Sequence, residues 1–241
     1  TTDLGKTWTS VSGNLPASPI NVVVQDRKNA NLLIVGNDIG VYVSINGGGE
    51  WTRLKANLPT VAVHDLTVHP RENDLVIATY GRAIWAGDIT PLQELSADVL
   101  AKKFHLFAVE PKARYGFSLQ GMNYHLFGDK YLEVPNEPEA LVVQYHLAAA
   151  GTGQAQITLA DAAGRTVRQL TGPTRAGLNR VNVPLAGGGG GRGGGAGRGG
   201  APGGAAASGP LAVGTYAVSV DIAGEKQTVA AMVRERILAR R

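Results

Sequence analysis

The chain says one thing twice. Thr1-Thr2-Asp3-Leu4-Gly5-Lys6-Thr7-Trp8 returns, degraded, as Ser44-Ile45-Asn46-Gly47-Gly48-Gly49-Glu50-Trp51, 43 residues on. The match runs past the first phrase. Trp8-Thr9-Ser10-Val11-Ser12-Gly13-Asn14-Leu15-Pro16 aligns without a gap on Trp51-Thr52-Arg53-Leu54-Lys55-Ala56-Asn57-Leu58-Pro59. A single copy would be a turn, whereas two in register predict a repeated unit in which each copy needs a neighbour to bury its faces.

Between the copies the pattern is that of strands. Val22-Val23-Val24, Asn31 to Gly36 and Gly40 to Val43 are β-branched runs broken by Asp, Asn and Gly. Leu66-Thr67-Val68, Asn73 to Ala78 and Ala83-Ile84-Trp85 restate them. Each unit should hold about four short strands, and a period of roughly 40–50 residues with that content is the mark of a propeller blade. The repeated phrase reads as a hairpin turn. Asp3 and Asn46 accept from backbone N–H groups nearby, Gly5 and Gly48 supply positive φ, and Trp8 and Trp51 should bury their rings. A structural role is therefore expected for Thr1, Asp3, Gly5, Thr7 and Trp8, and for Ser44, Asn46, Gly48 and Trp51.

These phrases are Asp-boxes. With Trp-Thr-x-x-x-x-Asn-Leu-Pro and the run Thr79-Tyr80-Gly81-Arg82-Ala83-Ile84-Trp85-Ala86-Gly87-Asp88, residues 1–95 resemble bacterial sortilin-type BNR/Asp-box β-propeller proteins, often classed as glycosyl hydrolase or sialidase-like from the box alone. The resemblance implies a large secreted, periplasmic or surface propeller of which this chain holds the C-terminal blades, with the upstream blades of the same protein as its first partner.

Residues 96–138 carry Phe104, Phe107, Phe117, Tyr124, Phe127 and Tyr131, too aromatic for a disordered tether. They are expected to form a linker that packs on the flanking domains. Ser96 to Lys103 suits a short helix with Ser96 as N-cap. Residues 139–236 read as a small all-β domain. Alternation is clear in Gln156-Ile157-Thr158-Leu159 and in Tyr216-Ala217-Val218-Ser219-Val220, and turn signals recur at sandwich spacing. Ile157 to Arg168, Ala176 to Val181 and Gly214-Thr215-Tyr216 resemble the Ig-like, fibronectin-III-like domain of flagellar hook-capping proteins. The Trp usual near Val181-Asn182-Val183 in such domains is missing. The predicted fold class is thus all-β, a partial propeller followed by an Ig-like sandwich.

A tract from Gly187 to Gly209 holds almost nothing but Gly, Ala, Arg, Pro and Ser. With no side chains to bury it predicts a loop insertion. Its two Arg-Gly-Gly steps lack the interleaved aromatics of an RNA-binding segment, so no nucleic-acid partner is expected. Net charge is a modest +4, there are no cysteines, and no apolar run approaches the roughly 18 residues of a membrane span.

Chemistry is sparse. Five histidines show no metal-ligand spacing, so neither metal nor cofactor is expected, and no catalytic residue is assigned. A glycosidase needs two carboxylates roughly 5–10 Å apart, and only Asp38 and Asp65 invite that comparison. Two functions follow. One is a protein-, peptide- or glycan-binding and scaffolding module without catalysis of its own. The other is part of a glycoside hydrolase, sialidase-like or xyloglucanase-like, whose acid and base lie mainly in upstream blades.

Overall fold

The computed structural model describes residues 1, 3–55, 57–114, 138–187 and 209–235. The chain is all-β, with two one-turn helices among the described residues, and divides into two compact units, Thr1–Ala101 and Lys102–Arg241.

In the first unit, β1 (Ile20–Gln25), β2 (Leu33–Asn37), β3 (Gly40–Ser44) and β4 (Thr52–Arg53) form an antiparallel sheet in that order. A second antiparallel sheet follows, made of β5 (Val63–Val68), β6 (Asp74–Thr79) and β7 (Ile84–Asp88). The β-branched runs explain both, because period-2 alternation puts one set of side chains on each face. Leu32, Ile34, Val41 and Val43 of the first sheet share one core with Val63, Leu66, Leu75 and Ile77 of the second. On the opposite face of the first sheet, Val35, Tyr42 and Trp51 form a smaller cluster.

The expectation of four strands per unit holds for the first sheet and fails for the second, which has three. No copy of the box follows β7. Asp88 Oδ1 instead accepts the Thr90 N–H at 2.8 Å, and Pro91 falls in the first turn of α1 (Thr90–Glu94), where its missing N–H is no loss. The chain therefore turns into a helix where the first sheet has the box that leads to its fourth strand. The short helix α2 (Ala97–Ala101) follows, with Ser96 Oγ accepting the Val99 N–H at 3.2 Å.

The second unit has two sheets around one core. β10 (Ala140–Leu147) lies between β13 (Gly177–Pro184) and β8 (Phe104–Leu106). The other sheet runs β12 (Thr166–Gly172), β11 (Ala155–Ala160), β14 (Gly214–Ile222), β15 (Glu225–Glu235) and β9 (Lys112–Arg114). All pairs are antiparallel except β9 with β15. Leu141, Val143 and Tyr145 of β10 meet Ile157 and Leu159 of β11 and Val218 and Val220 of β14, all fully buried. Part of the stretch read as a linker thus supplies two strands to this unit, and Phe104, Leu106 and Val109 enter its core. Gln227 reaches from β15 to β8, accepting the Leu106 N–H at 2.9 Å and donating to the Phe104 carbonyl at 3.0 Å. Residues 115–137 of the stretch read as a linker lie outside the described residues.

The glycine-rich tract leaves and re-enters at a built neck. Its interior, residues 188–208, lies outside the described residues, but both ends are placed. The Leu211 N–H donates to the Leu185 carbonyl at 2.7 Å, and both leucines are buried. A Cβ on Gly187 would lie 2.7 Å from the Gly209 carbonyl carbon, so the two backbones touch. Arg168 of β12 is 4% exposed. Its guanidinium donates to the Val167 carbonyl at 2.8 Å, to the Ala186 carbonyl at 3.4 Å and to the Gly209 carbonyl. One buried cation therefore satisfies carbonyls on both sides of the neck.

Candidate functional site

Both boxes close through the same hydrogen bonds. Thr1 Oγ1 donates to Asp3 Oδ1 at 2.8 Å, and the Gly5 and Thr7 N–H groups donate to Thr1 Oγ1 at 2.8 Å and to Asp3 Oδ1 at 2.9 Å. In the second copy Ser44 Oγ donates to Asn46 Oδ1 at 2.8 Å, and the Gly48 and Glu50 N–H groups donate to Ser44 Oγ and Asn46 Oδ1, each at 2.9 Å. Every partner is displaced by the same 43 residues. Thr7 Oγ1 adds a bond to Asp3 Oδ2 at 2.7 Å.

These donors stabilise the Asp3 carboxylate. The Thr7 N–H, then the Thr7 hydroxyl, then Thr1 hold its pKa at about 2, below the ordinary 3.8. Because the folded pKa is the depressed one, the turn is fully supported above pH 3.8 and loses that support as pH falls through about 2. A carboxyl-carbon NMR titration of the chain should therefore place Asp3 near 2; a midpoint at the unperturbed value would mean the box is open in solution.

The two tryptophans part company. Trp51 is 5% exposed, packed on Val35 and Tyr42 with Leu15, Leu33 and Ile39 around it. Its indole N–H donates to the Val11 carbonyl at 2.8 Å. Asn14 accepts the Trp51 backbone N–H at 2.6 Å and donates to its carbonyl at 3.0 Å. Trp8 is 79% exposed, which corrects the expectation that both rings are buried. The surroundings differ: Trp51 packs on Val35 and Tyr42 of the two strands before it, whereas Trp8 joins none of the clusters of buried side chains among the described residues. The segment after Trp8 serves the second box instead. A Cβ on Gly48 would lie 2.6 Å from Val11 Cβ, and one on Gly13 2.7 Å from the Gly49 carbonyl oxygen, so glycine is required where these two stretches meet.

A second correspondence is invisible in the sequence. β1 and β2 pair Ile20 with Asn37 and Val22 with Gly36, which leaves Asn21 as a bulge. β5 and β6 pair Val63 with Thr79 and Asp65 with Ala78, which leaves His64 as a bulge 43 residues later. A bulge re-aims the extra side chain and is frequent beside functional sites. Each extra side chain meets the residue that follows the partner strand. Asn21 Nδ2 donates to Asp38 Oδ1 at 2.9 Å. His64 stacks on Tyr80, ring centroids 5.4 Å apart and planes 24° from parallel. Asn21 Nδ2 also donates to the Val63 carbonyl at 3.1 Å, which ties the first pair to the backbone just before the second. The result is a row, Asp38–Asn21–His64–Tyr80, along one end of adjacent sheets. All four residues are exposed, Tyr80 at 74%.

Of the two carboxylates singled out from sequence, Asp38 belongs to this row. Asp65 is exposed next to His64 and accepts the Leu66 N–H at 2.9 Å. Arg53 flanks the row, donating to the Ile39 carbonyl at 3.0 Å and to Thr60 Oγ1 at 2.7 Å. Asn37, fully buried one residue before Asp38, accepts the Ile39 N–H at 3.0 Å through Oδ1, while its Nδ2 meets no acceptor. Among the described residues no group of three or more histidines and carboxylates could hold a metal, and no helix is long and apolar enough to cross a membrane.

Compared with known proteins, the chain matches no family model, no curated protein and no solved structure.

Proposed function

We propose that the chain is the C-terminal part of a secreted or surface Asp-box β-propeller protein, its first unit two successive blades and its second an Ig-like sandwich. In this reading it binds and scaffolds, with a protein, peptide or glycan as ligand and the upstream blades as its structural partner, and the chain itself catalyses nothing. One observation carries the reading: box hydrogen bonds and strand bulge both recur after 43 residues. That recurrence is what a radial array of like sheets requires. The two sheets of the second unit around one core suit a sandwich.

Asp38 and Asp65 favour the hydrolase as a second reading, since both are exposed, Asp38 within the row and Asp65 next to His64. Each, however, is engaged by a nearby amide in the manner of a structural carboxylate. The purified chain should release no product from a fluorogenic sialoside or from xyloglucan. Turnover that disappears in Asp65→Asn would establish the hydrolase instead.

A further inference from the structure

The row of bulge-aimed side chains has the chemistry of a sugar subsite. A pyranose presents C–H groups on its faces and hydroxyls at its rim. It needs an exposed ring to lie against and acceptors beside that ring, and an aromatic with a polar tip offers both. The His64–Tyr80 stack supplies the ring surface, with Tyr80 74% exposed and its ring held nearly parallel to the imidazole. Asp38 supplies the acceptor. Asn21 engages its Oδ1, and an ionised carboxylate has lone pairs to spare for hydroxyl donors. The buried Nδ2 of Asn37, adjacent in sequence, is a donor that the protein leaves unmatched.

Local charge selects among glycans. Both signs of charge lie along the row: Asp38 and Asp65 are carboxylates, Arg53 holds the Ile39 carbonyl beside Asp38, and Arg82 follows Tyr80 by two residues in the chain. A balanced site favours a neutral ligand over a polyanion or a basic peptide. The row also spans two sheets through the Asn21 bond to the Val63 carbonyl, which suits a chain of sugars more than a single one.

We propose that Asp38, Asn21, His64 and Tyr80 form a binding subsite for a neutral polysaccharide, with one sugar ring on Tyr80 and its hydroxyls on Asp38. This rests on the reading of the chain as a binding module. The test is affinity electrophoresis of the full chain in native gels containing xyloglucan, laminarin or polygalacturonate, with a fluorescent oligolysine peptide titrated separately. Retardation by a neutral polysaccharide is expected. Tyr80→Ala should weaken it at least tenfold and Asp38→Ala severalfold, Tyr80→Phe should retain it, and Trp8→Ala should change it less than twofold. Because Tyr80 and Asp38 are exposed, circular dichroism of the variants should match the parent.

Each other outcome is decisive. Retardation lost in Trp8→Ala but kept in Tyr80→Ala moves the site to the other exposed ring and overturns the subsite, while the binding-module reading survives. Tyr80-dependent capture of polygalacturonate or oligolysine in place of the neutral chains overturns the ligand class. No retardation by any polysaccharide overturns the proposal, and the module reading is then judged on turnover alone.

Discussion

Trp51→Ala should cost the first unit about 3–5 kcal/mol, the range for emptying a buried indole site, whereas Trp8→Ala should cost less than about 0.5 kcal/mol, as exposed substitutions do. The two residues occupy the same place in the same phrase, so sequence alone assigns them one fate. Structure separates them by burial, 5% against 79%, and by the indole bond that Trp51 gives to the Val11 carbonyl. Removing Trp51 also strips cover from Val35 and Tyr42. Hydrogen exchange at the β2 and β3 amides locates the loss in this unit and keeps it separate from the other. Equal effects from the two substitutions would mean that Trp8 finds a burial site in solution.

A second large effect is expected at Arg168. Arg168→Met keeps most of the aliphatic stem and removes every donor, leaving the carbonyls of Val167, Ala186 and Gly209 without this partner. A hydrogen bond from a charged donor contributes about 1.5–3 kcal/mol net. All three acceptors, however, belong to residues that are partly or fully exposed, where water can replace the lost donor. Ala186 at 3.4 Å is the weakest of them, so a total of about 2–4 kcal/mol follows. Arg168→Lys should fall between, since an ammonium carries the charge without the planar fork. The readout is thermal unfolding, with exchange at β12 to β14. A melting point unchanged in Arg168→Met would show that the neck is closed by Leu185 and Leu211 alone.

What could be read in the sequence was what repeats locally. Alternation in Gln156 to Leu159 marks β11 because buried and exposed positions differ in chemistry within six residues. The boxes were visible because Asp or Asn, Gly and Trp recur at fixed spacing. The bulges were not. A bulge is a mismatch in count between two strands, and neither Asn21 nor His64 looks unusual in its own strand. Phe104-His105-Leu106 is too short an alternation to declare a strand, and β9 pairs with residues more than a hundred positions away. Arg168 sits where alternation would put either a core or a surface residue. Its burial depends on carbonyls that come from the far side of the neck. Asn14 could have been found. It recurs as Asn57 at the same distance from its tryptophan, but the bonds of Asn14 run to the backbone of Trp51, 37 residues away, which the repeat itself does not reveal.

The contact between Gly187 and Gly209 makes the neck a splice point. Two chain ends that already touch have no distance left to span, so whatever joins them is free of any requirement on length. The cost of closing that connection rises by only about 0.6 kcal/mol for each doubling. The residues that hold the ends, Arg168, Leu185 and Leu211, lie outside the connection. Between β13 and β14 the fold thus offers a socket: a short turn, a reporter domain or a pair of new chain termini could be fitted there without disturbing the register of either sheet.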